Sequence, residues 1–163
     1  MEPVYVEATI NDTRIRINKN DSMDIYSWRD WVKTKPPYWY KIKPTLNNER
    51  YILNFNNKTY GLSRLVYKAH NPEWDITDIS DSNFIDHINK KAVDNRIENL
   101  RILTHQQNQW NRTAKGYSWC KRSKKWSAYI RINGKSKFLG YFTEEADAKN
   151  AYLEAKEKYH IIA

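Results

Sequence analysis

The chain has 163 residues and a mass of 19.6 kDa, which suits one generous domain or two small ones. It contains 28 Lys and Arg against 19 Asp and Glu, a formal charge of +9, and 40% hydrophobic residues, so the composition excludes a disordered chain. A lone cysteine, Cys120, excludes a disulfide framework and a cysteine-built zinc site. No apolar run approaches the roughly 18 residues of a membrane span. We therefore expect a soluble, intracellular (cytoplasmic), basic protein with no membrane partner.

The excess positive charge lies in the second half of the chain. Residues 1–85 carry 12 basic and 11 acidic side chains, whereas residues 86–163 carry 16 and 8. Residues 110–143 contain nine basic side chains, no acidic one and several interleaved aromatic residues. Because solvated faces normally mix both signs, this segment predicts a surface for a nucleic acid. Charge alone leaves DNA and RNA open.

In chain order, the first region predicts a mixture of strands and one helix. Alternating apolar and polar residues over 4–18, around Asn11-Asp12, predict a hairpin. The spacing of Ile25, Trp28 and Val32 predicts a helix over residues 22–32. Three further strands are predicted at residues 38–44, 50–55 and 58–61.

The central region predicts a helix followed by a ββα unit. Apolar residues recur at i, i+3, i+4 and i+7 from Leu62, which predicts an amphipathic helix. Two strands follow, at residues 84–88 and 100–103. Thr104 with Gln107 forms a capping box, so a helix is expected from there to about Arg112.

The last region predicts a three-stranded sheet and a helix. The strands are expected at residues 117–121, 126–132 and 137–142. Asn133-Gly134 is a strong hairpin signal between the second and third strands. A final helix is expected after Thr143, Glu144 and Glu145.

The ββα unit carries the residues with the clearest chemistry, Asp86, His87, Asn99 and Asn108. A carboxylate and an amide oxygen can hold one hard cation such as Mg²⁺, with water and phosphate oxygens filling the remaining positions. A neutral histidine beside such a site can take a proton from an attacking water. These residues could therefore form a metal site with a base beside it, although a single histidine on a strand is more often structural.

The segment IDHINKKAVDNRIENLRILTHQQNQWNR resembles the HNH nucleases, in the group that includes phage and intron-encoded homing endonucleases, and YGLSRLVYKAHNP resembles the segment before the motif. The resemblance implies that His87 is the general base and that Asp86 and Asn108 ligate a single divalent metal ion, Mg²⁺ or Mn²⁺. It also implies that Asn99 holds the loop between the two strands and so orients His87. The chain departs from the family at Ser63, where a histidine is usual, and at Lys90-Lys91, where a glycine is usual.

The segment KGYSWCKRSKKWSAYIRINGKSKFLGYFTEEADAKNAYLEAKEKY is similar to the plant ethylene-response-factor type of DNA-binding domain, which also occurs fused to HNH endonucleases. That family lays the exposed face of a three-stranded sheet, packed on one helix, in the DNA major groove. Strand alternation puts Tyr129 and Arg131 on one face of the sheet and the apolar residues between them on the other. The DNA-contacting residues implied by the resemblance are Arg131 first, then Tyr129, Lys115, Ser118, Arg122 and Lys137.

Together these patterns predict an α+β protein with three parts. Residues 1–58 form an N-terminal α+β region of unclear role, residues 59–113 a ββα-metal (HNH) nuclease core, and residues 114–163 a small three-stranded antiparallel sheet packed on one helix. The expected activity is metal-dependent cleavage of double-stranded DNA by an endonuclease of the homing type, encoded by a phage. Each site is expected to nick one strand and to leave 5′-phosphate and 3′-hydroxyl ends. The alternatives are a catalytically retired HNH-fold DNA-binding protein, acting as a repressor or architectural factor, and an RNA-directed protein. Monomer and homodimer stay open.

Overall fold

The computed structural model describes residues 2–55, 57–111 and 115–161 of the chain. The chain divides into two compact units, Met1–Ile102 and Leu103–Ala163, which are described separately. The described residues form mostly antiparallel sheets and three α-helices, which confirms the α+β class. None of the helices in these described ranges is long and apolar enough to cross a membrane. The predicted division at residues 58 and 113 stays a prediction.

The first unit begins with a four-stranded antiparallel meander. Its first two strands form the predicted hairpin, with Asn11 at φ 45° and Asp12 at φ 63° in the turn. Asn and Asp tolerate this left-handed conformation better than other non-glycine residues, and two such residues match the twist of a two-residue hairpin. The strands of the meander are β1 Tyr5–Ile10, β2 Thr13–Asn18, β3 Asp21–Arg29 and β4 Tyr38–Ile42, in that order across the sheet.

The helix predicted over residues 22–32 is wrong, because most of this segment forms strand β3. Ile25 and Ser27 are buried, at 0% and 6% exposure, while the alternate residues Tyr26 and Trp28 are only half-buried on the other face. A small polar residue at a buried position conceals the alternation, so Ile25 and Trp28 look like neighbours on a helix. Pairing with β2 and β4 and the aromatic content of the segment favour the strand.

The outer face of the meander is held together by cations over aromatic rings. Trp28 and Trp39 lie opposite each other and meet edge to face, with ring centroids 5.2 Å apart. The guanidinium carbon of Arg16 lies 4.7 Å from the Trp39 ring centroid, a contact that contributes about 0.5–1 kcal/mol. Lys41 Nζ donates to Asp24 Oδ1 at 2.7 Å, and this bond above all holds the pKa of Asp24 at about 2.

A second antiparallel sheet leads into the first helix of the chain. Its strands are β5 Thr45–Asn47, β6 Arg50–Phe55 and β7 Lys58–Gly61, and the predicted helix follows as α1 Leu62–His70. Four apolar side chains of α1 are almost completely buried: Leu62, Leu65, Val66 and Ala69. They share one core cluster with Leu53, Leu100 and the inner face of the meander, namely Ala8, Ile10, Ile15, Ile17 and Ile25. The N-terminal region therefore supplies the hydrophobic surface on which α1 packs.

The first unit ends in a strand that carries the predicted site residues Asp86 and His87 and in most of the strand that pairs with it. Strand β8 is Phe84–His87 and strand β9 is Leu100–Leu103, and they pair as a two-stranded sheet. A 3₁₀ turn, Ile97–Asn99, leads directly into β9. Ile88 N donates to the Asn99 carbonyl at 2.9 Å, so the loop between β8 and β9 leaves and returns at the same end of the sheet.

The second unit contains the remaining strands and helices in the predicted order. Helix α2 is His105–Asn111, and the predicted capping box is confirmed because Gln107 N donates to Thr104 Oγ1 at 3.1 Å and Thr104 N to Gln107 Oε1 at 3.0 Å. The part of the predicted helix that extends to Arg112 lies outside the described residues. The sheet and last helix are β10 Tyr117–Cys120, β11 Lys125–Ile132, β12 Lys135–Phe142 and α3 Glu145–Tyr159. Helix α3 packs on one face of the sheet around Ile130, Tyr152 and Ala155.

Candidate active site and nucleic-acid interface

Asp86 is a buried carboxylate on strand β8, with 9% of the residue exposed. Its Oδ2 accepts a hydrogen bond from Nε of Arg101 on strand β9 at 2.9 Å. Burial of a charge is costly unless it is paired, and this cross-strand ion pair offsets that cost. The sequence analysis missed Arg101, although it belongs to the ENLR part of the motif.

His87 ends strand β8 and is half-buried. Its Nε2 lies 3.2 Å from Oδ1 of Asn95, a residue only 3% exposed. Asn95 Nδ2 donates to the Val93 carbonyl at 3.2 Å, which assigns the amide orientation and makes Oδ1 the acceptor toward His87. A neutral His87 therefore carries its proton on Nε2 and has its lone pair on Nδ1. Asn95, the residue that fixes this tautomer, was not among the site residues predicted from the sequence.

Asn99 joins the two ends of the loop between β8 and β9. Its Oδ1 accepts from Asn89 N at 2.9 Å, and its Nδ2 donates to the Asp94 carbonyl at 2.7 Å and to Asn89 Oδ1 at 3.1 Å. The residue is 6% exposed, and its own carbonyl accepts from Ile88 N at 2.9 Å. These bonds hold the loop beside His87; the catalytic relevance inferred from the resemblance stays a prediction.

Charged side chains brace the same loop from outside. Arg96 makes two hydrogen bonds of 2.8 Å to the carboxylate of Asp94, which also accepts from Asn89 Nδ2 at 2.7 Å. The Arg96 guanidinium holds the pKa of Asp94 well below its usual range. Lys90, the first of the two lysines that depart from the resembled motif, has φ 61° in the left-handed region. A lysine is strained there, whereas a glycine would not be.

The segment before strand β8 is anchored to helix α1 by Arg64. Its guanidinium donates to the carbonyls of Ile76, Asp78 and Asn83 at 2.6, 3.1 and 3.2 Å. It also stacks on Trp74, whose indole N–H donates to Asn83 Oδ1. Arg64 therefore fixes the path of the chain into the strand that bears Asp86.

Asn108 lies on helix α2, in the second unit, whereas Asp86 and His87 lie in the first. The backbone N–H of Asn108 donates to the Thr104 carbonyl at 2.9 Å as part of the helix. Its assignment as the second metal ligand stays a prediction. Within the described ranges, no group of three or more His, Cys, Asp or Glu side chains is arranged to hold a metal ion. The expected donor set is of another kind, one carboxylate and one amide, and such hard oxygen donors fit Mg²⁺.

The C-terminal sheet has one face under α3 and one outer face. From Ala128 onward strand β11 alternates as predicted, with Ala128 and Ile130 buried and Tyr129 and Arg131 exposed. Ser118 pairs with Ser127, which has the same parity as Tyr129, so Ser118 also belongs to the outer face. The structure thus brings Ser118, Tyr129 and Arg131 of the predicted set onto one face.

The other three predicted DNA contacts lie elsewhere in the second unit. Lys137 pairs with Ile130, and its Nζ donates to the Tyr159 hydroxyl at 2.9 Å, so it lies on the α3 side of the sheet. Lys115 is exposed just before β10, and Arg122 is exposed in the turn between β10 and β11. Sequence alternation alone did not separate Lys137 from the outer set, because the pairing of β12 with β11 is irregular.

A family model described as HNH endonuclease matches residues 60–110 of the chain. The matched segment begins in β7, contains α1, β8 and β9, and ends in α2. It therefore includes Asp86, His87, Asn95, Asn99 and Asn108. The match supports nuclease activity. In comparisons with curated proteins and with solved structures, nothing matches.

Proposed function

We propose that the protein is a metal-dependent DNA endonuclease of the HNH homing type, with His87 as its general base. The observation that carries the proposal is the hydrogen bond from His87 Nε2 to buried Asn95, inside the segment that matches the HNH endonuclease family. That bond leaves Nδ1 as the basic nitrogen, which is the requirement for accepting a proton from water.

The reaction is hydrolysis of one phosphodiester bond. A water molecule gives a proton to His87 Nδ1 as its oxygen bonds to phosphorus, and the bond from phosphorus to the 3′ oxygen breaks. The leaving oxygen takes a proton from solvent, so the products are a 5′-phosphate and a 3′-hydroxyl. Asn95 holds the imidazole, and Asn99 holds the loop that contains Asn95. Each ββα site handles one strand, so one chain nicks DNA.

Asp86 and Asn108 are the residues proposed to hold one divalent ion. A bound Mg²⁺ or Mn²⁺ would neutralise negative charge on the phosphate during hydrolysis. The Arg101 side chain pairs with Asp86 at 2.9 Å and holds the carboxylate in place on β8. The exposed basic side chains of the second unit are proposed to bind the phosphate backbone of double-stranded DNA.

A supercoiled-plasmid assay tests this function. The wild-type chain with Mg²⁺ should convert supercoiled DNA to open circles, and EDTA should abolish the conversion. His87→Ala should lower the rate by about 10²- to 10⁴-fold, the usual contribution of a general base, while retaining DNA affinity. The matched control is His70→Ala, since His70 lies at the end of α1 and bonds only the Val66 carbonyl among its described partners.

The outcomes separate the proposal from its alternative. Cleavage by His87→Ala at the wild-type rate would refute the base assignment. DNA binding without cleavage in Mg²⁺ or Mn²⁺ across varied DNA would favour the retired nuclease fold instead. Linear product from the wild-type chain would indicate two sites acting together.

A further inference from the structure

Three exposed aromatic side chains form a continuous ridge on the outer face of the C-terminal sheet. Tyr129, Phe138 and Tyr141, here called the aromatic ridge, are 42%, 46% and 50% exposed. Ring centroids are 5.0 Å apart between Tyr129 and Phe138, and 5.0 Å apart between Phe138 and Tyr141. The ridge lies on the face opposite α3, and large apolar side chains left clustered in water mark an interaction surface.

A β-bulge in strand β12 builds the ridge. Phe138 and Tyr141 are three residues apart, so in a regular strand they would point to opposite faces. Tyr129 pairs with Phe138 while the preceding Ala128 pairs with Gly140, which leaves Leu139 as an extra residue. Gly140 has φ 147°, a backbone conformation that residues other than glycine rarely adopt. Bulges commonly redirect side chains at functional sites, and this one places Tyr141 beside Phe138.

The charge around the ridge favours a polyanionic partner. Residues 115–143 contain eight basic side chains and no acidic one, and of these eight Lys137 lies on the α3 side of the sheet. Arg131 and Lys125 have the same strand parity as Tyr129, so they flank the ridge on the outer face. A protein partner with an ordinary mixed-sign surface would not need this excess, whereas DNA phosphates would neutralise it.

The packing of the rings favours duplex DNA over unpaired bases. Phe138 meets its two neighbours at interplanar angles of 47° and 64°, so the rings cover part of one another's faces. Base stacking needs free ring faces, while a ridge of ring edges suits small apolar groups. The apolar group that duplex DNA presents in its major groove is the C5-methyl of thymine.

We propose that the aromatic ridge contacts thymine methyl groups in the major groove and gives the protein a preference for A·T-rich duplex DNA. This inference rests on the proposed function, in that the second unit binds double-stranded DNA. It adds a source of sequence preference that depends on apolar contact rather than on hydrogen bonds to base edges. It assigns Phe138 and Tyr141 a role beyond the basic residues that bind phosphate.

Fluorescence anisotropy with the full chain in EDTA tests the proposal without cleavage. The two probes are a duplex of alternating A·T pairs and the same duplex with uracil, which lacks the methyl group, in place of thymine. The wild-type chain should bind the thymine duplex about fourfold more tightly for each methyl group contacted, equivalent to about 0.8 kcal/mol. Phe138→Ala and Tyr141→Ala should bring the affinity ratio of the two duplexes close to one.

Two control variants separate the ridge from general effects. Leu153→Ala removes a 43% exposed apolar side chain from α3 and should keep the wild-type ratio. Arg131→Ala should weaken binding to both duplexes alike and leave the ratio unchanged. Tyr141 is half-exposed, so its variant keeps the test valid if Phe138→Ala fails to fold, as judged by circular dichroism.

The contrary outcomes are distinct. Equal affinity of the wild-type chain for the two duplexes overturns the ridge proposal and leaves DNA binding intact. A third probe is one strand of the thymine duplex alone. Tighter binding to this single strand than to the duplex also overturns the ridge proposal, because the rings then stack on unpaired bases. Absence of binding to both duplexes overturns the ridge proposal together with the DNA-binding part of the proposed function.

Discussion

Replacement of Asn99 by alanine tests whether the loop between β8 and β9 must be held for catalysis. The change removes three hydrogen bonds, two to Asn89 and one to the Asp94 carbonyl, from a residue that is 6% exposed. Each such bond contributes about 0.5–1.5 kcal/mol, a total of about 1.5–4.5 kcal/mol for the three. Because Asn89 is exposed and water can replace part of its bonding, we expect a loss of about 2 kcal/mol for loop closure. That loss raises the population of the open loop about 30-fold.

Hydrogen–deuterium exchange measured by mass spectrometry reads this opening directly. Peptides covering residues 84–99 should exchange about 30-fold faster in Asn99→Ala, whereas peptides covering residues 5–18 should be unchanged. The maximum rate of plasmid nicking should fall while DNA affinity is retained, because His87 loses its fixed orientation. Asn54→Ala, which removes an exposed asparagine from β6 in the same unit, is the matched control. Unchanged exchange together with an unchanged nicking rate would refute the reasoning.

Asn95, Lys90 and Asp24 of the first unit can each be tested by substitution. Asn95→Leu should lower the nicking rate about as much as His87→Ala does. Asn95→Asp keeps an acceptor for His87 Nε2 and should therefore retain part of the rate. Equal nicking rates in the two variants would argue against the idea that Asn95 fixes the His87 tautomer. Lys90→Gly should raise the free energy of unfolding by about 1 kcal/mol in urea denaturation, because it relieves a residue at φ 61°, and a loss of stability would contradict this. Asp24 has its pKa depressed to about 2, so the stability from its bond with Lys41 is present above the ordinary value of 3.8 and is lost as pH falls toward 2. Thermal melts of Asp24→Asn should therefore show a smaller decrease between pH 4 and pH 2 than the wild type, and parallel curves would show that Asp24 is not responsible.

Local signals in the sequence predict much of the fold. Asn11-Asp12 and Asn133-Gly134 mark hairpin turns, and Thr104 with Gln107 marks the start of α2, because each depends on contacts within a few residues. The sequence pattern predicts a helix where the structure has strand β3, because the alternation of buried and exposed residues is visible only once Ser27 is known to be buried. That burial depends on neighbouring strands and cannot be read from one segment.

In the candidate site, too, contacts between distant residues could not be predicted from the sequence. Asp86, His87 and Asn99 are recognisable from their spacing, and the structure places the first two on β8 and Asn99 in the 3₁₀ turn that leads into β9. The partners Asn95 and Arg101 are not distinguishable by residue type alone, since exposed Asn and Arg are common on loops and strands. Lys137 shows how strand pairing decides a face: the irregular pairing of β12 with β11 puts it opposite Ile130, on the α3 side.

The shared core of α1 and the N-terminal meander bears on how this nuclease motif can be moved between proteins. Residues 60–110 contain the whole family match, but the apolar stripe of α1 shares its core with isoleucines that precede the match by 35 to 50 residues, namely Ile10, Ile15, Ile17 and Ile25. Excised alone, the matched segment would present Leu62, Leu65 and Val66 to water and would aggregate or stay unfolded. We therefore expect the smallest portion of this chain that folds when joined to a different module to begin at β1, so recombination that preserves the matched segment must carry its scaffold with it.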